Sequence, residues 1–263
     1  MQITRTFLSL IMMLVVLSAA AFAGDWADTK HAVVLGGKLY TIETSGALYV
    51  TELPSGKWTQ LGKAEFGKTK FLFAGTTNLI TIENDGSLFR VNPADGSWVR
   101  VGKTGDWKKT MVGAMIGDKL YTVESEGALY ETNATSGVWR QIGKPDFVRT
   151  KFFYSSGERL YSIEGDGYFY SISPVTGAWQ RIGTSNDWVN TNRSTMHNGK
   201  LYSTEGGALY ETDPLTGTWK KISTEYIRAQ VLFGAGSSLY FIEFNGNLYR
   251  INPTDGSLVQ IGK

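Results

Sequence analysis

The sequence contains no cysteine and only two histidines among its 263 residues. Disulfide bonds are therefore excluded, and a zinc site built from thiolate or imidazole ligands is not expected. The formal net charge is only +2, and the basic residues are scattered along the chain. Neither a nucleic-acid-binding groove nor a surface for anionic membranes is predicted from such a distribution.

The first 23 residues differ from everything that follows. Arg5 precedes the apolar run Phe7–Val16, and Ala21-Phe22-Ala23 has the small-residue pattern of a signal peptidase site. This arrangement predicts a secretory signal peptide at residues 1–23, with an uncleaved membrane anchor as the alternative. We expect a secreted or periplasmic protein that starts near Gly24. No later apolar run is long enough to span a membrane.

The rest of the chain repeats one pattern, which is clearest at Lys119–Lys144. Each copy reads as four short strands rich in β-branched and aromatic residues, separated by turns that contain glycine. The six copies begin at Lys38, Asn78, Lys119, Arg159, Lys200 and Ser238. A period of about 40 residues with four strands and no helical pattern is typical of a propeller blade. The sequence therefore predicts an all-β, six-bladed β-propeller of four-stranded antiparallel blades.

One domain at 24–263 accommodates all six repeats. We expect blades at about 24–63, 64–103, 104–144, 145–184, 185–224 and 225–263. The first repeat begins with an innermost strand and the last ends with an outermost strand. The ring should therefore close by side-chain packing between blades six and one, without a shared blade. An open solenoid is the alternative, but it would need atypical polar ends.

A carboxylate ends the second strand of every repeat. The six residues are Glu43, Glu83, Glu124, Glu164, Glu205 and Glu243. Hairpin pairing places five of them opposite a threonine of the innermost strand. A feature present in every copy favours a structural role, in which a hydroxyl or N–H bonded to the half-buried carboxylate locks the blade. A cation-binding or substrate-polarising ring of carboxylates is the alternative.

An acidic residue followed by an aromatic residue occupies the loop that enters each blade. The pairs are Asp25-Trp26, Glu65-Phe66, Asp106-Trp107, Asp146-Phe147, Asp187-Trp188 and Glu225-Tyr226. An aromatic ring can stack on the apolar face of a sugar, and a carboxylate can accept two of its hydroxyl groups. On this hypothesis the tryptophan-bearing odd blades hold the stronger sugar sites. The alternative is that the aromatic residue is a wedge between blades.

Two further features concern single strands. A tryptophan recurs in the outermost strand, and its regular position favours packing between blades. The set is Trp58, Trp98, Trp139, Trp179 and Trp219. Blade five has an unusually polar innermost strand, and we expect a unique site there, with Asn190, Asn192 and Arg193 at the central channel or its rim.

The run Phe66–Phe73 resembles the tachylectin type of propeller lectin, which repeats an aromatic residue, a three-residue spacer and Lys-Phe-Leu-Phe. Phe147–Phe153 is similar, and Leu160-Tyr161 and Ile142-Gly143 occupy the corresponding later positions. The resemblance implies a propeller whose blade-entry loops bind N-acetylated sugars, here at the acid–aromatic pairs. The chain differs in having six shorter repeats where that family has five longer ones.

These patterns together favour a secreted carbohydrate-binding protein that is not an enzyme and needs no cofactor or metal. Its expected partners are glycans, N-acetylated sugars among them, with no nucleic acid. A protein-interaction scaffold is the main alternative. A metal-dependent hydrolase of the lactonase type is more distant, and would draw on Asn190, Asn192 and Glu205.

Overall fold

The computed structural model describes residues 24–223 and 227–262. The predicted signal peptide at 1–23 lies outside these ranges, as do Glu225 and Tyr226. The described chain forms 24 β-strands. No helix in these ranges is long and apolar enough to cross a membrane.

The strands of the first three blades follow the chain in order. Blade one contains β1 (Thr29–Leu35), β2 (Lys38–Glu43), β3 (Leu48–Glu52) and β4 (Trp58–Leu61). Blade two contains β5 (Thr69–Ala74), β6 (Leu79–Glu83), β7 (Leu88–Val91) and β8 (Trp98–Val101). Blade three contains β9 (Thr110–Ile116), β10 (Lys119–Glu124), β11 (Leu129–Asn133) and β12 (Trp139–Ile142).

The last three blades repeat this order. Blade four contains β13 (Thr150–Ser156), β14 (Arg159–Glu164), β15 (Phe169–Ile172) and β16 (Trp179–Ile182). Blade five contains β17 (Arg193–His197), β18 (Lys200–Glu205), β19 (Ala208–Thr212) and β20 (Trp219–Ser223). Blade six contains β21 (Ala229–Ala235), β22 (Ser238–Glu243), β23 (Leu248–Ile251) and β24 (Leu258–Gly262).

Each blade is a separate four-stranded antiparallel sheet of consecutive strands, which confirms the predicted six-bladed propeller. No blade borrows a strand from the opposite end of the chain, so the ring closes without a shared blade. Closure relies on one apolar cluster in which Trp26 and Leu39 of blade one meet Phe233 and Tyr240 of blade six. The amide of Trp26 also donates a 3.2 Å hydrogen bond to the carbonyl of Gly246.

The core consists of six apolar clusters, each shared by two adjacent blades. The second strand of a blade is buried on both faces, which explains its nearly continuous apolar sequence. In β10, Leu120 packs toward blade two, whereas Tyr121 and Val123 pack toward blade four. Apolar burial between blades therefore stabilises the ring, which contains no disulfide bonds.

A β-bulge near the start of the innermost strand links successive blades. In β1 the register shifts between Thr29 and His31, so the bulge turns Lys30 away from its own sheet. The ammonium of Lys30 donates a 2.6 Å hydrogen bond to the carbonyl of Thr69 in blade two. The corresponding donors in other blades are Lys70, Lys151, Arg193 and Gln230, with distances of 2.6, 2.8, 2.6 and 2.7 Å.

These bonds join five of the six neighbouring pairs of innermost strands, including blades six and one through Gln230 and Thr29. Blade three has Met111 at the bulge, which cannot donate. Each bond satisfies a backbone carbonyl on the innermost strand, which is the edge of its sheet. The bulge residue therefore holds neighbouring blades in register around the ring.

Lys70→Met tests this role by copying the residue that blade three already uses. The variant removes the donor to Thr110 and should lower the free energy of unfolding by about 1 kcal/mol. Urea denaturation measures this, with Lys63→Met at an exposed loop position as the matched control. Equal stability of the two variants would show that the bulge residue does not tie the blades together.

Candidate functional site

The aromatic residues of the entry loops of blades one to five are buried, which corrects the expectation that they stack on sugars. Their exposed fractions are only 2 to 3%, for Trp26, Phe66, Trp107, Phe147 and Trp188. Each ring lies in an apolar cluster, and Trp107, for example, contacts Phe73 of blade two and Leu120 of blade three. The rings are wedges between blades, and their faces are not available to a ligand.

The alternation of tryptophan with phenylalanine in these loops has a packing explanation. The indole N–H of Trp107 donates to the hydroxyl of Thr132 at 3.1 Å, and that of Trp188 to Thr212 at 3.3 Å. In blades two and four, where the wedge is phenylalanine, the same strand position holds Val91 or Ile172. A buried indole needs an acceptor and a phenyl ring does not. The predicted difference in sugar affinity between odd and even blades therefore has no basis in ring exposure.

In blades one to five, the acidic residue of the loop pair is exposed and accepts a hydrogen bond from the tryptophan of the outermost strand of its own blade. The indole N–H of Trp139 donates a 3.0 Å hydrogen bond to the carboxylate of Asp106. Equivalent bonds of 2.8 to 3.0 Å join Asp25 to Trp58, Glu65 to Trp98, Asp146 to Trp179 and Asp187 to Trp219. The loop carboxylate thus fixes the orientation of an indole ring across the blade.

Trp58 packs against the apolar cluster between blades one and six, as predicted. The outer tryptophans of blades two to five are exposed, which corrects their assignment to packing between blades. Trp98, Trp139, Trp179 and Trp219 are 45 to 50% exposed. Each contacts the edge of a ring on the neighbouring third strand, as Trp139 does with Tyr130 at a centroid distance of 5.4 Å. Blades two to five therefore each present a fixed indole at the surface.

The loop carboxylate, the outer tryptophan and the sheet face enclose a small cavity, which we call the blade pocket. In blade three its volume is about 350 Å³, and its lining includes Asp106, Thr122, Glu124, Tyr130 and Trp139. Corresponding residues line pockets of about 200, 240 and 260 Å³ in blades two, four and five. Since blade-entry loops and second turns share one end of the strands, these four pockets open on one face of the ring.

In blades two to five, the glutamate that ends the second strand lies in the wall of this pocket. The hydroxyl of Thr110 donates a 3.0 Å bond to Glu124, and the same threonine–glutamate bond occurs in blades one, two and four. Burial raises the pKa of Glu43, Glu83, Glu124 and Glu164, and the threonine hydroxyl opposes this shift. These glutamates therefore both brace the blade and present a carboxylate to the pocket.

The floor of the pocket holds hydroxyl groups that the sequence analysis missed. Thr81 in blade two and Thr122 in blade three line their pockets, and neither side-chain oxygen has a hydrogen-bond partner in the described chain. Ser162 and Ser203 occupy the same position in blades four and five. A small polar residue in the centre of an otherwise apolar buried strand was the sequence signal. A ligand hydroxyl could satisfy such an orphaned group.

Blade six fills its own pocket. Phe241 replaces the floor hydroxyl, is 2% exposed, and stacks on Tyr249 with ring centroids 4.8 Å apart and planes 9° from parallel. Leu258 replaces the outer tryptophan in the same blade. The predicted loop residues Glu225 and Tyr226 lie outside the described ranges, and Glu243 makes no bond to an innermost threonine because Ala229 is its strand partner.

The lining of the central cavity does not include Asn190, Asn192 or Arg193, the residues of the unique site predicted in blade five. The cavity of about 340 Å³ at the centre of the ring is lined mainly by apolar side chains such as Phe73, Met115 and Met196. Asn190 and Asn192 are exposed on the entry loop and do not line it. Arg193 instead donates a hydrogen bond to the carbonyl of Gln230. It replaces the bulge lysine of other blades, because β17 starts later than the other innermost strands.

No group of three or more histidine, cysteine, aspartate or glutamate residues in 24–223 and 227–262 could hold a metal ion. Glu205 lies in the pocket of blade five, away from the channel lining. Asn190 and Asn192, the other residues proposed for a lactonase-type centre, do not line the blade-five pocket with Glu205.

The protein is a six-bladed propeller in which blades two to five each carry one small cavity lined by polar and aromatic side chains. A family described as a repeat of unknown function (DUF6923) matches residues 157–262, which is less than half of the chain. No curated protein matches.

Solved structures resemble the fold. PorZ, a surface component of the type-IX secretion system of Porphyromonas gingivalis, is 12% identical with a TM-score of 0.59. The match covers 90% of this chain and 38% of that one. The extracellular domain of a one-component system from Bacteroides thetaiotaomicron is 13% identical with a TM-score of 0.60, and the match covers 89% of this chain and 36% of that one.

A nidogen–laminin complex contains a third similar chain, at 11% identity and a TM-score of 0.63, with 82% of this chain and 89% of that one covered. The chain spans well under half the length of the first of these proteins. At such identities the likeness concerns the fold alone. The neighbours nevertheless include extracellular domains and surface components.

Trp107→Ala should lower the free energy of unfolding by about 3–5 kcal/mol, because it empties a fully buried site between two blades. Trp139→Ala removes a half-exposed ring and should cost about 1 kcal/mol. Guanidinium denaturation of the two variants measures both values. Equal losses would contradict the assignment of Trp107 as a wedge and Trp139 as a pocket wall.

Glu124→Gln should change how stability depends on pH. Since the pKa of Glu124 is higher in the folded protein than its ordinary value of 4.5, the protonated carboxyl favours folding. Its contribution is present at low pH and is lost as the pH rises through the folded-state pKa. Glutamine stays neutral and can still accept the bond from Thr110.

We therefore expect thermal melts to show that Glu124→Gln gains stability relative to the parent as the pH rises from 4 toward neutrality. Glu158→Gln, in an exposed turn, is the matched control and should follow the parent. A Glu124→Gln curve parallel to that of the parent at every pH would contradict a buried, destabilised carboxylate.

Proposed function

We propose that this protein is a secreted or periplasmic carbohydrate-binding propeller, with its sugar sites in the blade pockets. The observation that carries the proposal is the repetition of one cavity in blades two to five. Each cavity combines an exposed indole, a ring on the third strand, a buried hydroxyl and at least two carboxylates. The proposed sugar site is therefore not at the aromatic residues of the entry loops. It lies on the opposite side of the loop carboxylates, beside the outer tryptophans.

The chemistry of the pocket suits a sugar ring. The indole of Trp139 and the ring of Tyr130 offer apolar surface to the C–H face of a pyranose, while Asp106 and Glu124 can accept its hydroxyl groups. Volumes of 200 to 350 Å³ lie at or below the lower end of the range for small-molecule sites. One sugar residue per pocket is therefore the appropriate scale.

Blade six supports this view of the pocket from within the protein. There the phenyl ring of Phe241 lies flat on Tyr249, in the space that remains open above Tyr130 in blade three. A flat six-membered ring therefore fits between the second and third strands of a blade. A sugar in the other blades would lie over the equivalent aromatic ring in a similar way.

Two weaker observations agree with the proposal. The resemblance to tachylectin-type lectins implies N-acetylated sugars as ligands, and the fold neighbours include extracellular domains. A shallow site of this kind should bind a free monosaccharide with a dissociation constant on the order of 1 mM. Several sites on one face could engage a glycan-coated surface together, with an avidity gain on the order of 10²–10⁴.

The test fills the pockets in the way that blade six does. A variant carrying Thr81→Phe, Thr122→Phe, Ser162→Phe and Ser203→Phe should lose binding to a surface coated with N-acetylglucosamine by roughly 100-fold or more, since the avidity is removed. Biolayer interferometry measures this, and thermal melts confirm folding. A matched variant with Val at the two threonines and Ala at the two serines keeps the cavities open.

The open-pocket control removes only the floor hydroxyls and leaves the indoles, the third-strand rings and the carboxylates in place. It should therefore lose much less binding to the coated surface than the phenylalanine variant does. A folded phenylalanine variant that binds as well as the parent would place the sugar site elsewhere. Failure of the parent to bind any surface in a broad glycan array would reject carbohydrate binding and favour the protein-interaction scaffold.

A further inference from the structure

The pocket of blade five differs from the others at the edge formed by the turn after the second strand and by the entry loop, which we call the lip. Only Gly206 and Gly207 separate Glu205 from Ala208, whereas three residues separate Glu124 from Ala128 in blade three. The shorter turn removes the acidic lip residue found in blades two to four, which is Asp85, Glu126 or Asp166. The basic residue opposite it is also lost, because Asn190 stands where the other blades have Lys68, Lys109 or Arg149.

In blades three and four these lip residues form ion pairs. Lys109 lies 2.5 Å from Glu126, and Arg149 lies 3.8 Å from Asp166. The lining of the blade-five pocket contains Asp187 and Glu205 and no lysine or arginine. A cation that enters this pocket therefore meets two carboxylates with no basic side chain of the lining to compete for them.

The polar groups of this pocket are also left unpaired. Thr191 and Ser203 are 2% and 4% exposed and line the cavity of about 260 Å³. Within the described chain neither hydroxyl forms a side-chain hydrogen bond, and neither does the carboxylate of Glu205. In blades one to four the corresponding threonine is bonded to the glutamate.

The late start of β17 explains this difference. The innermost strand of blade five pairs Arg193 with Thr204 and lacks the bulge that sets the other threonines opposite their glutamates. Two buried hydroxyls and one carboxylate are consequently free to meet a ligand. All three groups line the cavity, so a polar ligand that hydrogen-bonds to all of them would be favoured.

We propose that the blade-five pocket selects a sugar that carries a free primary ammonium group, such as a glucosamine residue. The inference rests on the proposed function and names the ligand class of one of its pockets. The ammonium would lie between Glu205 and Asp187, the sugar hydroxyls would bond to Thr191 and Ser203, and the ring would lie against Tyr210 and Trp219. One oxygen of Asp187 already accepts bonds from Trp219 and Ser185, which leaves the other for the ligand.

An ammonium group already lies beside an aromatic ring in this blade. The ammonium of Lys221 lies 6.0 Å from the ring centroid of Tyr210, although Lys221 is not part of the pocket lining. Acetylation removes the charge of an amino sugar and adds bulk at the same nitrogen. The pocket should therefore discriminate between glucosamine and N-acetylglucosamine, whereas the pockets with a basic lip should not favour the amine.

Titration calorimetry of the full protein with glucosamine, N-acetylglucosamine and glucose tests this at a pH where the amine is protonated. Glucosamine should bind one site about tenfold more tightly than the other two sugars, and added salt should reduce the difference. Glu205→Gln should abolish the preference. Glu243→Gln, at the equivalent position of the filled blade-six pocket, is the matched control and should keep it.

A readout without any variant guards against a folding defect. In the parent protein, glucosamine should shift the indole N–H resonance of Trp219 at lower concentration than N-acetylglucosamine does. Equal affinities for the three sugars, or an unchanged preference in folded Glu205→Gln, would overturn the inference. Equal binding of an N-acetylated lysine amide with a free side-chain amine would show that the site reads the ammonium group and not the sugar.

The two proposals fail in different ways. If N-acetylglucosamine binds and the phenylalanine-filled variant loses it, while glucosamine shows no advantage, only the present inference is wrong. If neither sugar binds the parent protein, the proposed function itself fails.

Discussion

Blades one to five each pack on the preceding blade of the ring through a buried aromatic side chain in the entry loop. The ring of Trp107 is enclosed by residues of blades two and three, and its amide donates to the carbonyl of Gly86 in the preceding blade. The corresponding second-turn glycine of blade three, Gly127, has a φ of +83°, and a Cβ there would lie 2.6 Å from the amide nitrogen of Val148. A side chain at this turn would prevent the next loop from docking.

The position of the candidate site follows from that wedge. Burial of the aromatic residue fixes the neighbouring carboxylate at the surface, and the carboxylate in turn holds the outer tryptophan by its N–H. The tryptophan then forms one wall of a pocket whose floor is the sheet itself. A feature that stabilises the ring thus also positions the groups that could contact a ligand. Differences between blades arise where this sequence of contacts is altered, by Phe241 in blade six and by the shortened turn in blade five.

Much of the fold could be predicted from the sequence because it depends on local, repeated signals. Strand period, turn glycines and the order of the terminal strands suffice to predict six blades and a ring closed without strand exchange. The threonine–glutamate bond also followed from hairpin register, since Thr110 and Glu124 are direct partners.

The site could not be predicted as well, because sequence position does not show which side of a loop faces the core. The acid–aromatic pair was assigned to one surface site, yet its two members point into different environments. Two signals could have separated them. Tryptophan in the loop coincides with threonine on the third strand, as in Trp107 and Thr132. The loop acid also precedes the outer tryptophan by 33 residues in blades one to four, and blade six lacks that tryptophan.

The most direct test of this account is a crystal structure of the protein soaked with N-acetylglucosamine. We expect sugar density in the blade pockets, against Trp98, Trp139 and Trp179. The loop rings of Phe66, Trp107 and Phe147 should remain buried. No sugar should bind in blade six, where Phe241 fills the pocket. Sugar stacked on an exposed Trp107, or bound in the central channel with the blade pockets vacant, would contradict it.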